Sequence, residues 1–298
     1  MKTVAILGIG KMGAAITKEL IAAGHNVKIW NRTSNTAHEL AKSIASHNLE
    51  IADSPKSALS SADFAICAFT DGKATEEVLF SDPTTLDSVN SNLIICEMGT
   101  SGVEKVRTIN EKLLKKKIRF VDAPVSGSVV TVAAHQLLVM ASGNSEDVES
   151  CSDLFQAFAK KTLYLGAAGA GQVMKLAVNL VVHELSAAVS ESLAIATANG
   201  IEPKAAYEVF EESVIASPFV KYKKGAFLDP QTPVAMRIDT VAKDLRLIHE
   251  LAAASGIGEA GLEAIQSVQA IYARAQSDGF AEADMSALFR FLAPRSRS

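Results

Sequence analysis

The stretch Val4-Ala5-Ile6-Leu7-Gly8-Ile9-Gly10-Lys11-Met12-Gly13 decides how this chain is read. Its four apolar residues read as a short buried strand. The three glycines then follow with GxGxxG spacing, and a helical pattern opens there and runs over 11–23. A second apolar strand comes at 27–30. Strand, spaced glycines, helix and second strand are together the context that a dinucleotide-binding turn requires. Gly8 permits the tight turn, Gly10 lets the backbone approach a pyrophosphate, and Gly13 lets helix and strand pack closely. Ile9, Lys11 and Met12 complete the loop. The pyrophosphate is expected on the helix N-terminus, where amide groups and the helix dipole favour an anion.

The end of the second strand selects the cofactor. NAD enzymes place an acidic residue there for the ribose hydroxyls. This chain has Asn31-Arg32-Thr33, with no carboxylate to repel a 2′-phosphate. Arg32 can pair with that phosphate, and Asn31 and Thr33 can donate hydrogen bonds to it. The expected cofactor is therefore NADP(H). Loops after later strands, Phe69-Thr70-Asp71 and Glu97-Met98-Gly99-Thr100, should cover it, since ligands in such sheets bind outside the carboxyl ends of strands. Phe69, Thr70 and Thr100 are candidate contacts. Asp71 and Glu97 read more readily as turn or cap residues.

Working outward, further strands are expected at 64–69, 93–97, 118–121, 137–141 and 162–165, with helices at 35–47, 73–80, 102–116 and 146–159 between them. This alternation is that of a Rossmann domain, a doubly wound parallel sheet, over 1–165. The pattern changes at Gly166-Ala167-Ala168-Gly169-Ala170-Gly171, read as a flexible hinge. An all-α domain over 166–298 follows, joined by a long interdomain helix at about 172–199 that ends at Asn199-Gly200. Further helices are expected at 203–212, 217–226, 234–254, 258–276 and 284–292, and the tail 294–298 is expected to fray.

Composition limits the function classes. The 298 residues carry a net charge of −4, which gives no electrostatic footprint for nucleic acid or an anionic membrane. Lys115-Lys116-Lys117 reads as a solvated helix end. No uninterrupted run of about 18 apolar residues marks a membrane span, and the N-terminus lacks the pattern of a signal peptide. The three cysteines have no metal-ligand spacing, so no metal is expected, and they read as reduced thiols in a cytoplasmic protein. Cys67 and Cys96 sit in apolar runs as core fillers.

Two segments suggest a reaction site. Asp122-Ala123-Pro124-Val125-Ser126-Gly127-Ser128 follows a strand and can offer hydroxyl and amide donors to a small carboxylate or carbonyl, or be an ordinary loop. Lys175 lies early in the long apolar helix, with Asn179 and His183 at successive four-residue steps that stack them on one face. A lysine ammonium can stabilise the alkoxide that develops when hydride adds to a carbonyl and hand it a proton. The alternative is a structural network between domains. His183 reads as a satisfied helix histidine, and Lys243-Asp244 as a surface ion pair.

Taken together these motifs resemble the β-hydroxyacid dehydrogenase family, which shares its architecture with imine reductases. The match comprises the glycine turn, Trp30-Asn31-Arg32-Thr33, Asp122-Ala123-Pro124-Val125-Ser126-Gly127, Gly171-Gln172-Val173-Met174-Lys175-Leu176 with Asn179, and Lys243-Asp244-Leu245. The resemblance implies Lys175 as catalytic acid with Asn179 as its helical partner, and Ser126 and Gly127 as substrate anchors. It also implies Lys243 reaching the cofactor, Asp244 on the substrate side, an active site between the domains, and a homodimer or homotetramer. The implied reaction is reduction of a small carbonyl compound such as glyoxylate or succinic semialdehyde. Imine reduction and a non-catalytic dinucleotide-binding module are the alternatives. The chain departs from the family pattern at Ser128, at Ala133-Ala134-His135, at Val178, and at Met236 beside Arg237. All these departures lie on the expected substrate side.

Overall fold

A computed structural model describes residues 1–258 and 261–293. The predicted tail 294–298 lies outside the described residues. The chain divides into two compact units, Met1–Leu176 and Ala177–Ser298.

In the first unit, β1 (Thr3–Leu7) sits between β2 (Asn26–Trp30) and β4 (Phe64–Cys67), all parallel. β3 (Leu49–Ile51) extends the β2 side, while β5 (Ile94–Glu97) and β6 (Arg119–Asp122) extend the β4 side, again parallel. The order β3-β2-β1-β4-β5-β6 is that of the dinucleotide-binding sheet. Helices α1 (Lys11–Ala22), α2 (Ser34–Ile44), α3 (Pro55–Leu59), α4 (Gly72–Phe80) and α5 (Val103–Lys115) make the crossovers. Alternate residues of β1 enter opposite cores, Val4 and Ile6 one, Ala5 and Leu7 the other. With both faces covered, the strands read as continuous apolar runs.

Beyond β6 the sheet is no longer parallel. β7 (Val125–Ser126) and the short α6 (Val129–Ala133) lead into β8 (Leu137–Gly143), which runs antiparallel to both β6 and β7. A connection this short supports a reversal more readily than a parallel crossover. α7 (Ser145–Ser150) and α8 (Ser152–Gln156) replace the single helix expected at 146–159, and β9 (Ala159–Tyr164) pairs parallel with β8.

The expected hinge at 166–171 is only partly irregular. Gly166 and Gly169 have positive φ, but α9 (Ala170–Ala198) already includes Gly171. A Cβ there would lie 2.5 Å from Met140 O and 3.0 Å from Pro124 Cδ, so the helix start is wedged rather than free.

α9 continues into the second unit, with α10 (Pro203–Glu212), α11 (Pro218–Leu228), α12 (Ile238–Ala254), α13 (Glu263–Ala275) and α14 (Leu288–Leu292). α12 starts four residues later than expected because Asp284 holds the preceding backbone, accepting from Ala235 N and Met236 N. By length and composition α9 could cross a bilayer, with a window of mean hydropathy 1.3. Its polar residues Asn179, His183, Ser186 and Ser190 are nevertheless buried, while Met174, Val181 and Ile195 are exposed.

Candidate active site

The glycine turn has the predicted form. Gly8 has φ +97°, and its N–H donates to Trp30 O at 2.9 Å, tying the turn to β2. A Cβ on Gly8 would lie 3.0 Å from the Phe69 ring, so Phe69 packs directly on the turn. A Cβ on Gly13 would fall 2.1 Å from Gly8 O. A Cβ on Gly10 would meet no atom within 4 Å among the described residues. Packing therefore demands glycine at 8 and 13, whereas at 10 it leaves open space over the start of α1. No described side chain caps that helix. Uncapped amides facing open space fit a dinucleotide pyrophosphate. The Ile9 side chain is buried and Met12 packs on the core. What this stretch offers a ligand is therefore mainly backbone.

At the end of β2, Asn31 Oδ1 accepts from Ile9 N at 2.9 Å and Asn31 Nδ2 donates to Thr33 O at 3.0 Å. Asn31 thus braces the loop. Thr33 begins α2 and is exposed, as is Arg32. Arg32 borders a cavity of about 360 Å³ that is also lined by Trp30, Ser54, Lys56 and Glu77. The sequence reading missed Ser54 and Lys56, which belong to a helix of only five residues. As expected, Asp71 is a cap, accepting from Ala74 N at 2.9 Å. Glu97 is not a simple cap. It is fully buried at the end of β5, and burial raises its pKa to about 7.

In the loop after β6, Ser126 lies in β7 opposite Leu138. Gly127 has φ +140°, and a Cβ there would lie 2.2 Å from Thr131 Oγ1. Ser128 N donates to that same hydroxyl at 2.7 Å, so Ser128 starts α6 rather than continuing a loop. Its own Oγ is buried without a partner among the described residues. His135 does not face this turn: it pairs with Glu19 of α1 at 3.1 Å and is half exposed. Lys175 is half-buried, next to the buried Leu176.

A second cluster lies within the second unit. Asp244 on α12 is 1% exposed and accepts from Asn179 Nδ2 at 2.7 Å. Lys243 Nζ is 3.0 Å from its other oxygen. Lys243-Asp244 is therefore not a surface pair: Asp244 is buried and Lys243 partly so. His183 Nε2 lies 3.5 Å from Asp244 Oδ2. His183 is fully buried, and neither ring nitrogen meets a hydrogen-bond partner among the described residues, so it is not a satisfied helix histidine. Its period placed it beside Asn179; only the fold brings Asp244 to it. Met236 is half-buried in the Asp284-held loop, and Arg237 is exposed and paired with Asp239 and Glu282. Among the described residues, no group of three or more His, Cys, Asp or Glu could hold a metal.

A doubly wound sheet with a glycine turn shaped for a pyrophosphate defines a dinucleotide-binding protein. Comparison with known proteins makes the class narrower. The profile of the NAD binding domain of 6-phosphogluconate dehydrogenase matches residues 3–166. That of the NAD-binding domain of NADP-dependent 3-hydroxyisobutyrate dehydrogenase matches 169–292. The chain belongs to the β-hydroxyacid dehydrogenase family. It is 28% identical to glyoxylate/succinic semialdehyde reductase 1 of Arabidopsis thaliana, over 96% of each chain. It is 27% identical to the human cytokine-like nuclear factor N-PAC over 97% of its own length, but spans only 51% of that protein. Its fold matches 3-hydroxyisobutyrate dehydrogenase of Mycobacterium tuberculosis with L-serine, with TM-score 0.82 and 24% identity, covering 99% and 100% of the two chains. It also matches an imine reductase of Myxococcus stipitatus in complex with NADP+, with TM-score 0.66 and 16% identity, covering 97% and 99%.

Proposed function

We propose that this protein uses NADPH to reduce a small carbonyl compound, an aldehyde or 2-oxo acid such as glyoxylate or succinic semialdehyde, to the hydroxy acid. The observation that carries the reading is the polar stripe that begins at Lys175. Two family-matching helices, α9 and α12, keep Asn179 and Asp244 bonded one turn beyond a half-buried lysine. Such a stripe on an otherwise apolar helix suits proton delivery at a water-poor site.

The nicotinamide supplies the hydride when bound. Lys175, as its ammonium, donates a proton to the carbonyl oxygen as negative charge develops there and is reprotonated from solvent. Asn179 and Asp244 orient the groups around it. Ser126 and the Gly127 backbone bind the substrate carboxylate, and the unpartnered Ser128 hydroxyl adds a donor there. Gly10 and the α1 amides would hold the pyrophosphate, Phe69, Thr70 and Thr100 would cover the cofactor, and Arg32 would take the 2′-phosphate. Lys56 lines the same cavity as Arg32 and would add positive charge near that phosphate.

A second copy of the chain covers the outer face of α9. Met174, Val181, Ala188 and Ile195 recur there every seven residues and are exposed, which is the period of a helix that packs on another helix.

The test is initial-rate oxidation of NADPH, with NADH in parallel, against glyoxylate, succinic semialdehyde, other small aldehydes and 2-oxo acids, and cyclic imines. The expected result is turnover on a carboxylated aldehyde with NADPH preferred. Turnover on imines alone would move the reading to imine reduction. Cofactor binding with no turnover would make the chain a binding module.

A further inference from the structure

Gln172 is fully buried, and all four hydrogen-bonding positions of its carboxamide are used. Its Oε1 accepts from Ser101 N at 2.9 Å and Gly102 N at 3.2 Å. Its Nε2 donates to Gly99 O at 3.1 Å and to Asp122 Oδ1 at 2.8 Å. The other Asp122 oxygen accepts from Gln172 N at 3.1 Å and Ser142 Oγ at 2.8 Å. The Ser142 hydroxyl in turn accepts from Gly171 N at 3.0 Å. On the far side, Glu97 Oε1 accepts from Gly99 N at 2.9 Å and Ser101 Oγ at 3.0 Å.

This hub ties three segments together. One is the 98–102 loop carrying Thr100. The second is the end of β6, where Asp122 leads directly into Pro124-Val125-Ser126-Gly127. The third is the first turn of α9, where the Gly171 and Gln172 N–H groups have no acceptor within their own helix and find Ser142 and Asp122 instead. Lys175 follows Gln172 by three residues, one helical turn.

We infer that Gln172 and Asp122 are positioning residues for the reaction, locking the first turn of α9, and with it Lys175, to the cofactor loop and the substrate turn. This rests on the carbonyl-reductase reading above. The hub exceeds what folding alone asks of a helix start. A side chain that only capped α9 would not also reach Gly99 O and the two amides beyond it.

The test separates position from stability at the Gln172–Asp122 contact. Q172E keeps oxygen acceptors for Ser101 N and Gly102 N, while losing the donor to Gly99 O along with the one to Asp122. It sets a carboxylate against Asp122 across the 2.8 Å contact. D122N/Q172E restores a donor and an acceptor there, with the charge moved to the other side. The assays are kcat on the best carbonyl substrate, the NADPH dissociation constant, and hydrogen exchange of the Gly171 and Gln172 amides. Misplacing a catalytic group by a fraction of an ångström to one ångström costs on the order of 10- to 100-fold. Q172E is therefore expected to lose that much in kcat, with NADPH affinity within about threefold and faster exchange at both amides. The double variant should recover the part of each loss that comes from the Asp122 side, the donor to Gly99 O staying absent. Unchanged kcat in Q172E, or a double variant no better than Q172E, overturns the positioning role while leaving carbonyl reduction standing. If the wild-type chain reduces no carbonyl, the functional reading fails instead, and the exchange measurement still decides whether the hub locks the helix.

Discussion

Gly10 and Gly13 are the same residue type three positions apart, and their surroundings give them opposite roles. A methyl group at 13 would press on a backbone oxygen 2.1 Å away, while at 10 it would enter open space over α1. G13A is thus expected to lose about 1–3 kcal/mol of stability in urea unfolding. G10A should unfold like the wild type but bind NADPH and NADH far more weakly in fluorescence titration. Equal stability of the two variants would contradict this division of roles. Arg32 adds selectivity at the same scale. A lost charge-assisted contact costs about 1.5–3 kcal/mol, so R32A should weaken NADPH roughly 10- to 100-fold while sparing NADH. Equal losses for both cofactors would remove the 2′-phosphate role.

At the scale of elements, parallel pairing sets Glu97 at the end of β5 beside Asp122 at the end of β6, and both are buried. Burial raises Glu97 to about 7 and Asp122 to about 6, and the Asp122 charge adds to the rise at Glu97. For a carboxyl whose folded pKa lies above its unfolded one, the fold favours the protonated form. The stabilisation is complete below the unfolded value and is lost as pH rises through the folded one. Moving from 4.5 to about 7 corresponds to at most about 3 kcal/mol for Glu97. Urea unfolding between pH 5 and 8 should show E97Q losing less stability than the wild type as pH rises. Parallel curves would mean that Glu97 carries no such linkage. Little of this was legible beforehand, because Glu97 looks like a turn residue until β6 lies beside it. Five of the six parallel strands were legible, since β1, β2, β4, β5 and β6 are apolar runs of ordinary length. β3, β7 and α6 were not, because three residues, two residues and a single helical turn are too short for periodicity.

At the scale of the whole molecule, α9 carries two unlike faces. Asn179 and His183 face Asp244, while the stripe of Met174, Val181, Ala188 and Ile195 is exposed. Copies of the chain are expected to pair along that stripe, so V181D should shift the mass measured by light scattering toward the monomer while the thermal transition is kept. An unchanged mass would place the partner surface elsewhere. The sequence made the stripe Lys175, Asn179, His183 visible through its four-residue spacing. It could not say that His183 would be buried without a hydrogen bond among the described residues, nor that Asp244 would be what it faces, because that meeting depends on how α12 packs. The reaction itself turns on Lys175. The most direct test is turnover by K175A on the best carbonyl substrate, with NADPH binding measured in parallel. A general acid predicts a kcat lower by on the order of 10²–10⁴ with cofactor affinity kept. Near-normal turnover by K175A would contradict the account.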